Sequence, residues 1–257
     1  MAEPYRRRRR RRPRRRGPGA LLVLLCVVLI SAAVIAAMTV FFKIENINVE
    51  GETRYSDKEI ISAMGLKDGE NMFLFNKFAA ISRAFAACPY LEEISVRRRL
   101  PDTLDISVTE CTPVAAISDE DGTLYFVDKK LKVLEKISGG AAVKTCKIEG
   151  VELLLPEVGK SAELSGEEKR NPLLTLLNSA VENDIIFQIK SINITRVFDI
   201  QFAYTDRFTV RIGTIDDLDK KIRFMLELIK ELEEKDRGII DVSEPPVARF
   251  RPYESEP

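Results

Sequence analysis

Between Ala20 and Phe42 the chain runs for 23 residues without a charge, with Ser31 and Thr39 as the only polar side chains. At about 1.5 Å per residue a helix of that length spans roughly 35 Å, enough to cross a hydrocarbon core of about 30 Å. A helix also satisfies its own backbone inside the bilayer. Beyond Lys43 the pattern breaks into short alternations and helical stripes. Ile47 and Val49 alternate with polar neighbours and end at Gly51, which reads as a short strand. Ser56 and Glu59 form a capping box ahead of Ile60, Ile61 and Met64, and Gly65 can close that helix. Asn76 can cap a second helix along Phe78, Ile81 and Phe85, which Pro89 stops. Ile94 and Val96 then oppose Ser95, Arg97 and Arg99. After Pro101-Asp102, Leu104, Ile106 and Val108 alternate with Asp105, Ser107 and Thr109. That pattern predicts a hairpin, with Arg97 and Arg99 facing acids of the second strand for about a few tenths of a kcal/mol each.

From residue 113 onward the chain reads as a second layer of strands and helices. Short strands are expected at 114–117, 123–127 and 132–137, with Asp121-Gly122 as a hairpin turn. "TCKIEGVELLLPEVG" adds a strand and a turn. The segment "GEEKRNPLLTLLNSAVEND" is helical at least after Pro172, which suits a first-turn position. Strands follow in "SINITRVF", "DIQFAYT" and "RFTVRIG". Thr214 and Asp217 suggest another capping box, and Leu218, Ile222, Met225, Ile229 and Leu232 trace an apolar stripe. A helix packed on a sheet is favoured over a coiled-coil seam, because only two to three heptads are present. Gly238 is expected to end that helix. Ile239, Ile240 and Val242 suit a strand, and Val247–Phe250 is either a further strand beyond Pro245-Pro246 or a frayed tail.

The expected class is therefore α+β: an N-terminal transmembrane helix, a small βααββ domain, then a second mixed α/β domain with a largely antiparallel sheet. The corresponding boundaries are a basic tail at 1–19, the span at 20–42, the small domain at 43–112, the larger one at 113–250 and a tail at 251–257.

Charge gives the span a direction. The 257 residues carry 40 basic and 40 acidic side chains, but ten arginines and only one acid, Glu3, lie in residues 1–42. Residues 43–257 therefore hold 30 basic and 39 acidic groups, a net charge of −9. A folded nucleic-acid binder should be basic over one face, and this body is acidic; nucleic acid is not an expected partner, the arginine tail being the one route left open to it. Ten arginines before the span against Lys43 after it predict a cytoplasmic N-terminus and a translocated C-terminal body. A cleaved signal peptide is disfavoured: its apolar part is about 7–15 residues long and ends in a small-x-small site. Of the four cysteines, Cys26 lies in the span. Cys88, Cys111 and Cys146 are widely spaced with no C-x-x-C, a pattern of small buried thiols rather than of a metal site. The chain has no histidine, which removes Ser-His and Cys-His pairings and the H-E-x-x-H motif. Neither a phosphate-binding glycine loop nor S-x-x-K occurs. No enzyme and no cofactor is expected.

The order strand, helix, helix, strand, strand just beyond an anchor carries "V-x-G" at Val49–Gly51, "S-x-x-E-I" at Ser56–Ile60 and "R-R-L-P-x-T-L-x-I-x-V" at Arg98–Val108. With "Y-F-V-D-x-x-L-K-V-L" at Tyr125–Leu134, this resembles the FtsQ/DivIB family of bacterial cell-division proteins and its POTRA domain. The resemblance covers roughly residues 20–250. It implies a non-enzymatic membrane scaffold of the division machinery, held at the septum with its C-terminal domains outside the cytoplasm, that helps couple ring assembly to septal peptidoglycan synthesis. It implies as partners small single-span division proteins (FtsB/DivIC-like and FtsL-like) and other components of that machinery. In the family such partners add to the outermost strand of the second domain. Carried over, that contact falls on Val247, Ala248, Arg249 and Phe250, and more weakly on Asp241 and Val242. The competing reading, a membrane-anchored POTRA-type unit that binds client polypeptides for transport, expects tandem units and a barrel, and the chain shows one unit and one helical anchor.

Overall fold

The computed structural model describes residues 19–138 and 145–253. The arginine-rich start, on which the expected orientation rests, lies outside the described residues, as do 139–144 and 254–257. The fold is α+β, and the chain divides into two compact units.

The first unit gathers residues up to Asn48 with Lys67–Phe75 and Arg97–Asp105. Its helix α1 (Gly19–Phe41) is long and apolar enough to cross a membrane. The chain leaving α1 goes straight into backbone pairing. Met72 N–H donates to Phe42 O at 2.8 Å, Ile44 N–H donates to Glu70 O at 2.9 Å, and Lys43 and Asn71 form an antiparallel bridge. Glu45 and Asn46 N–H both donate to Asp102 O, at 2.9 and 3.2 Å. Strands β1 (Asn46–Glu50), β2 (Leu91–Arg99) and β3 (Thr103–Glu110) form a three-stranded sheet ordered β1-β3-β2, of which residues 46–48, 97–99 and 103–105 fall in this unit. The expected cross-strand ion pair is present at Arg99, whose Nη2 lies 3.3 Å from Asp105 Oδ1.

The second unit holds Val49–Leu66, Asn76–Val96 and everything from Ile106. Helix α2 (Asp57–Met64) starts on the expected capping box: Ser56 N–H donates to Glu59 Oε2 at 2.8 Å, and Ser56 Oγ accepts from Glu59 N–H at 3.4 Å. Gly65, at φ 65°, closes it. Asn76 Oδ1 accepts from Ala79 N–H at 3.1 Å and caps α3 (Lys77–Ala87).

The rest of this unit is built on a nine-stranded sheet. Its strands are β4 (Ala115–Ser118), β5 (Leu124–Val127), β6 (Val133–Ile137), β7 (Cys146–Glu149), β10 (Ile189–Asn193), β11 (Ile200–Tyr204), β12 (Phe208–Gly213), β13 (Gly238–Asp241) and β14 (Arg249–Pro252). They lie in the order β14-β13-β12-β11-β10-β7-β4-β5-β6. Pairing is antiparallel except at β13–β12, β10–β7 and β7–β4, which are parallel. A separate hairpin joins β8 (Glu152–Leu154) to β9 (Glu163–Ser165). Helices α4 (Glu167–Glu182) and α5 (Leu218–Glu231) cover one face. Leu173, Leu176, Leu177 and Ala180 of α4 and Leu218, Ile222 and Met225 of α5 share a core with Ile192, Phe202, Val210 and Ile240 of the strands. The stripe expected on α5 is thus buried on the sheet, and not in a coiled coil.

Three local expectations differ from the structure. Helix α4 begins at Glu167, so Pro172 sits inside it and not in its first turn. Proline there forgoes one hydrogen bond to the Glu168 carbonyl, and burial of the leucine face downstream offsets the loss. The capping box expected at Thr214 does not form: Thr214 Oγ1 donates to Asp216 Oδ2 at 2.9 Å, and Asp217, at φ 53°, precedes the first turn without a side-chain cap. Lys221, one turn into α5, instead buries its ammonium on Ile212 O (3.0 Å) and Thr214 O (2.8 Å). Gly238 does not end α5, which stops at Glu231; it opens β13. The cysteines outside α1 are buried free thiols, and burial pushes Cys111 up to about 11 and Cys146 up to about 12.

Gly51 ends β1 at φ 130°, where a Cβ would run into the Val108 carbonyl oxygen. Replacing it with alanine imposes both a forbidden backbone angle and a clash with main chain. Gly51→Ala is expected to lower stability by about 1–3 kcal/mol, read as a reduced denaturant midpoint for the full chain in detergent. An unchanged midpoint contradicts this account of the turn.

Candidate partner-binding edge

A sheet of nine strands has two edges, and the two are finished differently. At β6 the outer side is covered where the strand begins: Val133 N–H donates to Lys160 O and Gly159 N–H donates to Val133 O, both at 2.8 Å, and Lys132 bridges Ser161. At the opposite edge, β14 pairs only with β13, and no strand among the described residues lies beyond it.

The register decides which groups the β14 edge offers. Ile239 stands opposite Arg251, Ile240 opposite Phe250 and Asp241 opposite Arg249. One residue on, Tyr253 N–H donates to Arg237 O at 3.0 Å. Inward and outward main-chain groups alternate along an antiparallel pair. Arg249, Arg251 and Tyr253 therefore turn their backbone groups toward β13, and Phe250 turns its N–H and C=O outward. Pro252 turns only a carbonyl outward, so the row of donors stops there.

Side chains alternate the other way. Phe250 and Ala248 are half-buried against the core, and the Phe250 ring meets Phe208 edge-on with centroids 6.1 Å apart. Arg249 and Arg251 project from the opposite, helix-free face together with Ile239, Asp241, Thr209 and Arg211. Tyr253 Oη lies 2.7 Å from Thr209 Oγ1 and ties the end of β14 across two strands.

This open face carries charges of alternating sign. Arg211 Nε donates to Asp199 Oδ1 at 2.7 Å, and Arg196 Nη2 reaches Asp199 Oδ2 at 3.1 Å. The Arg211 hydrogen bond is the main cause holding the Asp199 carboxyl below its ordinary range. Asp241 Oδ1 accepts from Ser243 N–H (3.0 Å) and Ser243 Oγ (2.6 Å). Burial pushes Asp241 up, but those two bonds and the Arg211 and Arg251 charges outweigh it and leave the carboxyl low. At the edge itself the cations are less well matched. Arg249 Nη1 stands 3.9 Å from Glu244 Oε2 with both side chains exposed, a pair worth about 0–1 kcal/mol.

The six residues expected from the resemblance divide accordingly. Arg249 and Phe250 lie in β14 and Asp241 in β13. Val242 is buried in the core, its N–H donating to Arg211 O at 3.0 Å, so its side chain is unavailable to a partner. Val247 (45% exposed) and Ala248 precede the strand, in a segment that leaves a turn closed by Val247 N–H on Glu244 O. The strand starts two residues later than expected because that turn consumes Glu244–Val247. Arg251 and Pro252, assigned to a tail, belong to β14; the alternation Arg249, Phe250, Arg251 was the available signal.

Residues 42–110 match the FtsQ-type POTRA domain. The cell-division protein DivIB of Clostridium acetobutylicum is 30% identical over 206 residues, covering 79% of this chain and 80% of that one. DivIB of Clostridium botulinum (strain Hall) is 28% identical over 208 residues, 79% of each chain. The cell-division protein FtsQ of Geotalea daltonii is 34% identical over 104 residues, 40% of this chain and 37% of its own.

Gly238 lies opposite Pro252, and a Cβ on it would strike the Arg251 carbonyl oxygen. Gly238→Ala is expected to displace β14 while leaving the rest of the sheet folded, so amide exchange at Arg251 accelerates and exchange at Phe202 does not. Equal protection of Arg251 in both proteins contradicts the assigned pairing.

Proposed function

Because the chain belongs to the FtsQ/DivIB family of cell-division proteins, we propose that it is a non-enzymatic, single-pass scaffold that recruits partners by strand addition at β14. Its N-terminus lies in the cytoplasm, its folded units lie outside, and it gathers at the division septum. There it binds small single-span division proteins of the FtsB/DivIC and FtsL kinds and helps couple ring assembly to septal peptidoglycan synthesis. The observation that carries this reading is the open edge of β14 at the end of a sheet whose other edge begins under a covering segment.

Strand addition supplies affinity through main-chain hydrogen bonds and selectivity through alternate side chains. The Phe250 N–H and C=O take the partner's backbone, and Pro252 sets where pairing ends. On the open face, Arg249 and Arg251 favour carboxylates in the partner strand; on the covered face, Phe250 and Ala248 favour apolar side chains. A short edge strand bearing arginines and a proline resists indiscriminate pairing. The same features that keep the edge soluble therefore make it choosy.

A fluorescently labelled full-length chain is expected to gather at the division site; uniform distribution in dividing cells contradicts the scaffold reading. Phe250→Pro removes the outward donor without touching the β13 ladder, and Phe250→Ala keeps the donor but loses the ring. Capture of small single-span division proteins should weaken about tenfold more in the proline variant than in the alanine one, the worth of one main-chain hydrogen bond near an interface centre. Equal capture by both overturns strand addition.

A further inference from the structure

The first unit holds a group of apolar side chains that serves no core. Phe73 is 43% exposed, Leu74 74% and Leu100 56%. Phe73 and Leu74 lie in the 71–75 loop and Leu100 at the tip of the β2–β3 hairpin, and both segments are tied to the chain where it leaves α1.

The loop is held at a definite height along that helix. Asn71 Nδ2 donates to Met38 O at 2.9 Å and to Thr39 O at 3.4 Å. These carbonyls belong to the last turn of α1, where no intrahelical N–H remains to pair with them. Asn71 thus acts as a side-chain cap on the helix end. Its Oδ1 accepts in turn from Phe73 N–H (2.9 Å) and Leu74 N–H (3.2 Å), which fixes the direction of the following residues. Phe73 packs edge-on against Phe42, with centroids 5.2 Å apart. Arg98 Nε donates to Met72 O at 2.7 Å and lies 5.7 Å from the Phe73 ring. Hydrogen bonds therefore hold two exposed apolar side chains level with the last turn of the helix.

That level has a meaning if α1 spans a bilayer. Its 23 residues measure roughly 35 Å against a hydrocarbon core of about 30 Å, so the last turn stands at the boundary with the headgroups. We propose that the 71–75 loop is seated in that boundary as a second membrane contact that fixes the tilt and rotation of the first unit on the membrane. The inference rests on the reading of α1 as a membrane span. Leu74 and Phe73 enter the acyl boundary, and the exposed Arg97 and Arg99 have stems long enough to keep their guanidinium groups among the headgroups. Outside α1 the described segments of this unit carry five basic and five acidic side chains. Apolar insertion, not attraction to anionic lipid, drives the contact, and neutral and anionic bilayers serve alike.

The chain contains no tryptophan, so a single substituted one reports its own site. Full-length Leu74→Trp and Val34→Trp proteins are reconstituted in phosphatidylcholine vesicles, with and without acyl-brominated lipid, and probed with aqueous acrylamide. The expected result is that brominated lipid removes most of the emission at both positions, that acrylamide has little effect on Leu74→Trp, and that adding phosphatidylglycerol changes neither. If Val34→Trp is quenched by brominated lipid while Leu74→Trp is not and stays open to acrylamide, the inference falls and the span stands. If Leu74→Trp is shielded from both quenchers, a protein surface covers the loop and the inference is overturned. If Val34→Trp escapes brominated lipid, the span reading fails and takes this inference with it.

Discussion

An edge strand presents backbone donors and acceptors that something must satisfy, and the second unit is organised around that constraint. Its nine strands cannot close on themselves, so the sheet has two ends. At β6 the segment Gly159–Ser161 covers the start of the outer side. At β14 the outward N–H and C=O of Phe250 remain. Core packing presses Phe250 against Phe208, and the Asp241–Ser243 turn and the Tyr253–Thr209 contact anchor both ends of the β13–β14 pair. The edge is therefore rigid as well as open. Ordering it costs a partner no further conformational entropy on this side, which is the physical advantage of a preformed strand template.

The first unit solves a different problem with the same currency. The end of α1 leaves its last carbonyls without intrahelical partners, and Asn71 reaches back to take two of them. The backbone then pairs at once through Phe42–Ile44 with Glu70–Met72, leaving no slack between helix and folded chain. Such a stiff exit keeps the folded segments of the first unit in a set direction relative to α1. A loose linker would let them wander.

Features encoded within a few residues were legible before the structure. The Ser56–Glu59 capping box, the Asn76 cap, the alternation across β2 and β3 and the α5 stripe all depend on neighbours at short sequence separation, and all are present. Much of what escaped depends on distant chain. The parallel pairings of β12 with β13 and of β7 with β10 and β4 have no local signature. The cap expected at Thr214 does not form because its hydroxyl is spent on Asp216 and the chain turns through a left-handed Asp217 before the helix begins. Val242, named as a weaker partner contact, is buried in the core that α4 and α5 share with the sheet, a burial its own neighbours do not signal. The candidate strand was displaced by two residues because the turn at Glu244–Val247 closes on its own backbone. Nothing near Asn71 in the sequence shows that its amide meets a helix more than thirty residues earlier.

The central claim is that β14 takes a partner strand through its outward backbone. Residue-resolved amide exchange tests it most directly, comparing the full chain alone and with a small single-span division partner in the same detergent. Strand addition predicts that the Phe250 amide, unprotected in the free protein, becomes strongly protected in the complex while Arg249 and Arg251 change little. A complex in which Phe250 exchanges as fast as before, with protection gained elsewhere, would contradict it.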